Sequence, residues 1–194
     1  MNTKFAQIAR GIALSQRQEE IVIGSLLGDG HLAKTTRGYA FRVNHSITQK
    51  EYVDWKYQEL SQFVNSMPDI YEKNYYFRTI SHPFFTSMRN EFYRGQEKII
   101  PANLTRWLTP LTLSIWIMDD GTREGNQLRI NSQSFTYDEN QMLASILEAT
   151  FGIETMINRD KHLFRLRVRD KSMTTVKKIT SPYIIPSMLY KFSP

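Results

Sequence analysis

Residues 21–30, IVIGSLLGDG, come back in altered form as residues 113–121, LSIWIMDDG. Each stretch is an apolar run closed by Asp-Gly, and each is preceded by a helix start signal. For the first, Ser15 stands as N-cap with Gln18 three residues on, the pattern of a capping box. For the second, Thr109 is followed by Pro110, a cap and then proline at the first helical position. Gly30 and Gly121 are expected to stop the two helices in the left-handed conformation that glycine adopts most easily. Other landmarks repeat in the same order. Asp29 and Asp120 are offset by 91 residues, Asn44 and Asn131 by 87, Arg78 and Arg165 by 87, and Pro101 and Pro186 by 85. Offsets this constant mean duplication of one unit of about 85–90 residues, a period too long for a solenoid repeat.

Outward from the two runs, each unit reads as helix, two strands, helix, two strands, helix. Helical runs are expected over 49–64 and 83–93 in the first half and over 137–151 and 171–179 in the second. The strands alternate. Leu128 and Ile130 oppose Arg129 and Asn131, while Phe164, Leu166 and Val168 oppose Arg165 and Arg167. Period two with one apolar face means sheets covered by helices on one side and polar on the other. The class is therefore α+β, with a first unit over 1–95, a linker over 96–108 and a second unit over 109–194. The chain has 194 residues, 41% hydrophobic and 12% aromatic, enough for a real core and incompatible with a disordered or collagen-like chain. Apolar runs stay under ten residues, too short to span a membrane or to form a secretory signal, and the first twenty residues lack the Ser/Arg density of an organellar presequence. With no cysteine, disulfides, thiolate zinc sites and cysteine nucleophiles are excluded. A net charge of +6 suggests a polyanionic partner.

Asp29 and Asp120 are the first chemical candidates. Each is expected in the last turn of its helix, where the negative end of the macrodipole disfavours a carboxylate by roughly 0.3–1 kcal/mol. A hard divalent cation reverses that penalty and takes carboxylate oxygens as ligands. One Asp-Gly alone is a common helix stop. Two at the same point of both repeats, brought together by pseudo-twofold packing, make a plausible metal site. Gly24, Ser25 and Gly28 would let a partner helix approach closely, whereas the second run has Ile115 and Trp116 there and only Ser114 is small. The four histidines show no zinc-ligand spacing, and neither a nucleophile elbow nor a phosphate-binding P-loop appears. The run 54–64, with Trp55, Leu60 and Phe63, reads as core.

The two runs resemble the signature helices of the LAGLIDADG homing endonucleases in the single-chain form. The ordered strings LTPLTLSIWIMDDG, NSQSFT and YIIPSMLYK are similar to the mitochondrial omega-intron endonuclease group, and the resemblance extends from Gln16 to Phe192. It implies two αββαββα units in pseudo-twofold relation, with antiparallel four-stranded sheets forming a saddle over DNA. It also implies a monomer, encoded by a mobile intron, that cuts both strands of double-stranded DNA across the minor groove of a long, near-asymmetric site. The cut would depend on Mg²⁺, with Mn²⁺ as a substitute and Ca²⁺ supporting binding without cleavage, and would leave 3′ overhangs.

By the same resemblance the metal-binding acids are Asp29 and Asp120, with Gly28 and Asp119, the residues before them, in a secondary role. Lys98 and Lys191 match basic residues near the scissile phosphates, and Gln133 and His45, taken as repeat equivalents, would contact metal-bound water. Arg42, Asn44, Arg78, Arg129, Asn131, Arg165 and Arg167 are the candidate base and phosphate contacts on the sheets. Lys34 and Arg37, after the first strand, and Arg123, after the second Asp-Gly, would extend that footprint. Two rivals share the scaffold: a group I intron maturase with intron RNA as partner, and a DNA-binding regulator without cleavage. Retention of both acids argues against the regulator. An organelle-encoded protein would work in the mitochondrion or chloroplast, and any other in a prokaryotic cytoplasm.

Overall fold

In the computed structural model, which describes residues 3–192, the chain begins with a short helix, α1 (Lys4–Arg10), that the sequence reading does not anticipate. The outermost two residues at each end of the expected units fall outside the described residues. Helix α2 (Gln16–Leu27) starts in the expected capping box, with Ser15 accepting from the Gln18 N–H and the Gln18 side chain accepting from the Ser15 N–H. There follow β1 (His31–Thr35), β2 (Gly38–Ser46), α3 (Lys50–Leu60), β3 (Asp69–Tyr71), β4 (Asn74–Ser81) and α4 (Pro83–Phe92). A two-residue ladder, β5 (Tyr93–Arg94) with β6 (Glu97–Lys98), leads into the second unit. That unit repeats the order: α5 (Pro110–Asp120), β7 (Gly121–Glu124), β8 (Gln127–Ile130), α6 (Tyr137–Phe151), β9 (Thr155–Asp160), β10 (Leu163–Val168) and α7 (Met173–Thr180). The two antiparallel sheets have matching strand orders, β1-β2-β4-β3 and β7-β8-β10-β9.

Helices α2 and α5 pack along a central seam. A Cβ added at Gly24 would lie 2.6 Å from the Ile115 Cβ, and one at Gly28 would lie 2.5 Å from the Asp119 Cβ. The small residues of α2 are thus the sockets for the bulky residues of α5, which resolves the mismatch between the two runs. One apolar cluster crosses the seam, joining Val22, Leu26 and Phe41 to Leu113, Trp116 and Ile130. The segment expected as a linker contributes Ile100, Leu104 and Leu108 to it.

Three expectations need correction. Neither Gly30 nor Gly121 takes positive φ; α2 already ends at Leu27, and Gly121 is extended at φ −67° and ψ 137° as it enters β7. Crowding is the reason for these glycines: a Cβ at Gly30 would lie 2.8 Å from the Phe41 ring, and one at Gly121 2.4 Å from the Ile117 carbonyl oxygen. Asp29 therefore sits just beyond its helix, whereas Asp120 is the last residue of α5. Second, β2 pairs Arg42 with Arg78 while β8 pairs Arg129 with Arg167, so Arg167 and not Arg165 is the counterpart of Arg78. A slip of two residues keeps every side chain on its face, so alternation cannot reveal it. Third, the same register makes Ser132 the repeat counterpart of His45 and Gln133 that of Ser46, a one-residue error that changes face.

Candidate active site at the seam

The ends of the signature helices bring Asp29, Asp119 and Asp120 into mutual electrostatic range. Burial pushes the Asp120 carboxyl up to about 8, and the charges of Asp29 and Asp119 add to the effect. Asp29 is also raised, by burial first and Asp119 second, with Lys56, Lys98 and Lys191 opposing. Its side chain is half-exposed. Two lysines flank the group. Lys98 Nζ donates to the Gly28 carbonyl at 2.7 Å and to that of Gly30 at 3.1 Å, and Lys191 Nζ donates to the Asp119 carbonyl at 3.3 Å. Gly28 and Asp119 are repeat equivalents, so each lysine is moored to the backbone just before the acid of its own unit. Burial holds both lysines below their ordinary pKa, with the three aspartates pulling the other way.

This donor set suits a hard divalent cation. Its two signature carboxylates are oxygen donors close enough for Asp29 to help raise Asp120, and phosphate and water would complete the shell, since among the described residues no group of three or more acidic or histidine side chains is set to hold a metal alone. Asp29 and Asp120 are the residues that would hold it.

Asp119 itself turns inward. Its side chain is fully buried, and its Oδ1 accepts from Lys56 Nζ at 2.8 Å and from the Tyr52 hydroxyl at 2.7 Å. Lys56 is 0% exposed, and its ammonium lies 4.3 Å from the centre of the Tyr52 ring. His45 stands between the units, with Nδ1 3.5 Å from Asp29 Oδ2 and Nε2 3.7 Å from Asp119 Oδ1. Burial, reinforced by Lys56, lowers the His45 pKa to about 4, so the ring is neutral at neutral pH. Sequence reasoning missed Lys56. The available signal was its place one turn after Tyr52 on the buried stripe Tyr52, Lys56, Leu60. Gln133, in contrast, turns away from the acids: its amide donates to Asp160 Oδ2 at 3.0 Å.

The polar sheet faces receive most of the expected arginines. On the first sheet Arg42 lies over the Tyr76 ring at 5.2 Å, beside Asn44 and the exposed Arg78. Arg37, in the β1–β2 turn, borders with Arg42, Arg78 and Tyr76 an open cleft of about 980 Å³. On the second sheet Arg129 is bonded to Glu124 at 3.0 Å and Arg165 to Asp160 at 3.1 Å, with Arg167 across the ladder from Arg129. Three candidates are placed differently. Lys34 lies within β1, opposite Tyr39, and not in the turn after it; its side chain is exposed. The Asn131 amide nitrogen is held by the Asp120 carbonyl at 2.8 Å and the Thr122 hydroxyl at 2.9 Å, which fixes the turn after β8. Arg123 donates to the carbonyls of Gly125 and Phe192, at 2.6 and 2.7 Å. It borders a second cleft, of about 520 Å³, that reaches Lys191 and Tyr190.

The sequence model of the LAGLIDADG DNA endonuclease family matches residues 19–176. Cytochrome b mRNA maturase bI2 of Saccharomyces cerevisiae is 34% identical over 88% of this chain and 46% of its own length. The chain therefore spans about half of that relative. A probable intron-encoded endonuclease of Wickerhamomyces canadensis is 27% identical over 92% of this chain and 84% of its own. The structure of the homing endonuclease I-WcaI bound to its DNA recognition sequence superposes with a TM-score of 0.91, at 25% identity, over 98% of this chain and 93% of that one.

Proposed function

This chain belongs to the LAGLIDADG DNA endonuclease family, and from that membership and the chemistry of its seam we propose that it is a site-specific endonuclease that cuts both strands of duplex DNA with a divalent metal, Mg²⁺ by preference. The observation that carries the reading is the paired arrangement of one acid and one backbone-moored lysine per repeat, Asp29 with Lys98 and Asp120 with Lys191. When bound, the cation supplies an activated water and offsets charge on the phosphate. Asp29 and Asp120 hold it. Lys98 and Lys191, already partly desolvated and fixed by their carbonyl partners, would offset the charge that grows on the reacting phosphate. Arg42, Arg78, Arg129, Arg165 and Arg167 seat the duplex on the two polar faces, and Arg37 extends that contact.

The two sheets carry different side chains, so the target is long and near-asymmetric. Both repeats lie in one chain, so the active form is a monomer. The name of the intron-encoded relative supports an intron as the source. A second reading, binding of intron RNA as a splicing cofactor, is favoured by the identity to the yeast maturase.

The experiment is to incubate the protein and Mg²⁺ with a randomised duplex library and to sequence the cut ends. A single long site with staggered 3′-overhang cuts is the expected result. Recovery of no cut site, together with protein-dependent splicing of a group I intron, would replace the endonuclease reading with the maturase one.

A further inference from the structure

Three positions near the seam break its pseudo-twofold symmetry. Asp119 stands where the first unit has Gly28, His45 stands where the second has Ser132, and Lys56 lies on α3, whose counterpart α6 contains no lysine. These three residues touch one another. From Lys56 Nζ it is 2.8 Å to Asp119 Oδ1, from there 3.7 Å to His45 Nε2, and from His45 Nδ1 3.5 Å to Asp29 Oδ2. Tyr52 holds the same Asp119 oxygen at 2.7 Å. The path begins at an ammonium sealed from solvent and ends at the half-exposed carboxylate of one signature acid.

Among the described residues no buried lysine stands behind Asp120 in the same way. At the place of His45, Ser132 Oγ donates to Asn140 Oδ1 at 2.6 Å and accepts from the Leu166 N–H at 3.1 Å, a bond pattern that closes within the second unit. The seam has room for one side chain at this level, because a Cβ at Gly28 would lie 2.5 Å from the Asp119 Cβ. The second helix fills it with a charge, and the first unit supplies the cation that matches. Burying a lysine is costly even when it is paired, and an apolar residue of similar volume commonly serves stability as well. The fold itself does without one in α6, which presents Leu143 and Leu147 to its core. Packing alone does not account for Lys56.

We infer that Lys56 is a positioning residue that, through Asp119 and His45, fixes the orientation of Asp29 but not of Asp120, so that the two DNA strands are cut at unequal rates. The inference rests on the endonuclease reading. Lys56 has no route to the phosphate, since it is wholly enclosed by protein. Its influence passes along the path as geometry: the ion pair fixes Asp119, Asp119 and Tyr52 confine the His45 ring, and that ring limits the rotamers open to the Asp29 carboxylate.

The test uses the full chain and a duplex containing the site recovered from the library, each strand carrying its own 5′ dye, in single turnover with Mg²⁺. Wild type is expected to cut one strand at least about threefold faster than the other. The variant Lys56→Met with Asp119→Asn removes both charges together and leaves no unpaired buried ion. It should bring the two rates within about twofold of each other while its affinity for the site in Ca²⁺ stays within about twofold of wild type. Lys56→Arg, which keeps the charge, should keep the inequality. Tyr52→Phe, which removes a single hydrogen bond and spares the fold, should shrink it in the same direction. Equal strand rates in wild type, or a wild-type ratio in the charge-free variant, would each overturn the inference and leave the endonuclease reading intact. A wild type that cuts neither strand overturns both.

Discussion

Gly28 and Asp119 occupy the same repeat position and have opposite characters, a hydrogen against a buried carboxylate. At that contact a methyl group has no place to go, being 2.5 Å from the Asp119 Cβ and 2.9 Å from its Oδ2. Gly28→Ala is therefore expected to lower stability by about 1–3 kcal/mol, the usual range for overpacking, as read from the urea midpoint at unchanged m-value. The same substitution at exposed Gly95, which has nothing within 4 Å, would cost only the strain of its positive φ. One residue further along, Asp29→Asn and Asp120→Asn are each expected to abolish double-strand cutting, while gel-shift affinity for the site in Ca²⁺ survives. A double variant that still linearised a target plasmid at the wild-type rate would remove both acids from the mechanism. Asp29 and Asp120 stood out in the sequence because the repeat marks their position twice, whereas Lys98 and Lys191 came only from the family resemblance. Lys56 did neither: a lysine within a helical run reads as a solvated charge until the partner helix that buries it is known.

The elements were legible to the extent that their signals are local. The capping box at Ser15, the Thr109-Pro110 start and the period-two strands all lie where read, since each depends on neighbours within four residues. What depends on pairing was not legible, hence the two-residue slip at Arg165 and the extension of β1 through Lys34. Helix α1, with only two buried residues, leaves a weak apolar pattern, and it is tied down by another element. His82, the cap of α4, makes that tie. Its Nδ1 accepts from the Phe84 N–H at 3.1 Å, which leaves Nε2 to donate to the Ile12 carbonyl at 3.0 Å. Burial lowers its pKa, with the Ile12 carbonyl opposing. A group depressed in the folded state contributes its stability above the unfolded value, near pH 6.5, and loses it as pH falls through the folded value. Protonation also places a hydrogen on Nδ1, where the cap needs a lone pair. The contribution of His82 to the melting temperature should therefore fall on acidification from pH 7 to pH 5. His82→Asn, which can cap without titrating, should flatten part of that fall. His31 and His45 act in the same sense, while the raised carboxyls of Asp29 and Asp120 oppose them, so the variant is read as a difference from wild type. An unchanged slope in the variant would show that the cap does not titrate in this range.

At the scale of the whole molecule, two repeats that look separable in sequence share one interior. The same apolar cluster takes Val22, Leu26 and Phe41 from the first unit, Leu113, Trp116 and Ile130 from the second, and Ile100, Leu104 and Leu108 from the segment between them. Each large side chain fully removed from water contributes about 1.5–3 kcal/mol, so either half alone would lose several such terms by baring its signature helix. A domain's net stability is only about 5–15 kcal/mol, a margin that such a loss consumes. The repeats should thus unfold together. The tryptophans provide the probes, with Trp55 on α3 reporting the first unit and Trp116 on α5 the second. In urea, the fluorescence of single-tryptophan variants and far-UV circular dichroism are expected to give coincident midpoints and one m-value appropriate to the full chain. Separated midpoints would mean that the seam is an interface between two independently stable halves. The acids would then be positioned by docking and not by folding, and the Asp29 environment would loosen before the fold does. Coincident transitions tie the geometry of the acid pair to the stability of the entire chain, so a core substitution far from the seam, such as Leu60→Ala in α3 at a cost of about 2–5 kcal/mol, should lower the temperature at which cleavage fails in step with the melting temperature.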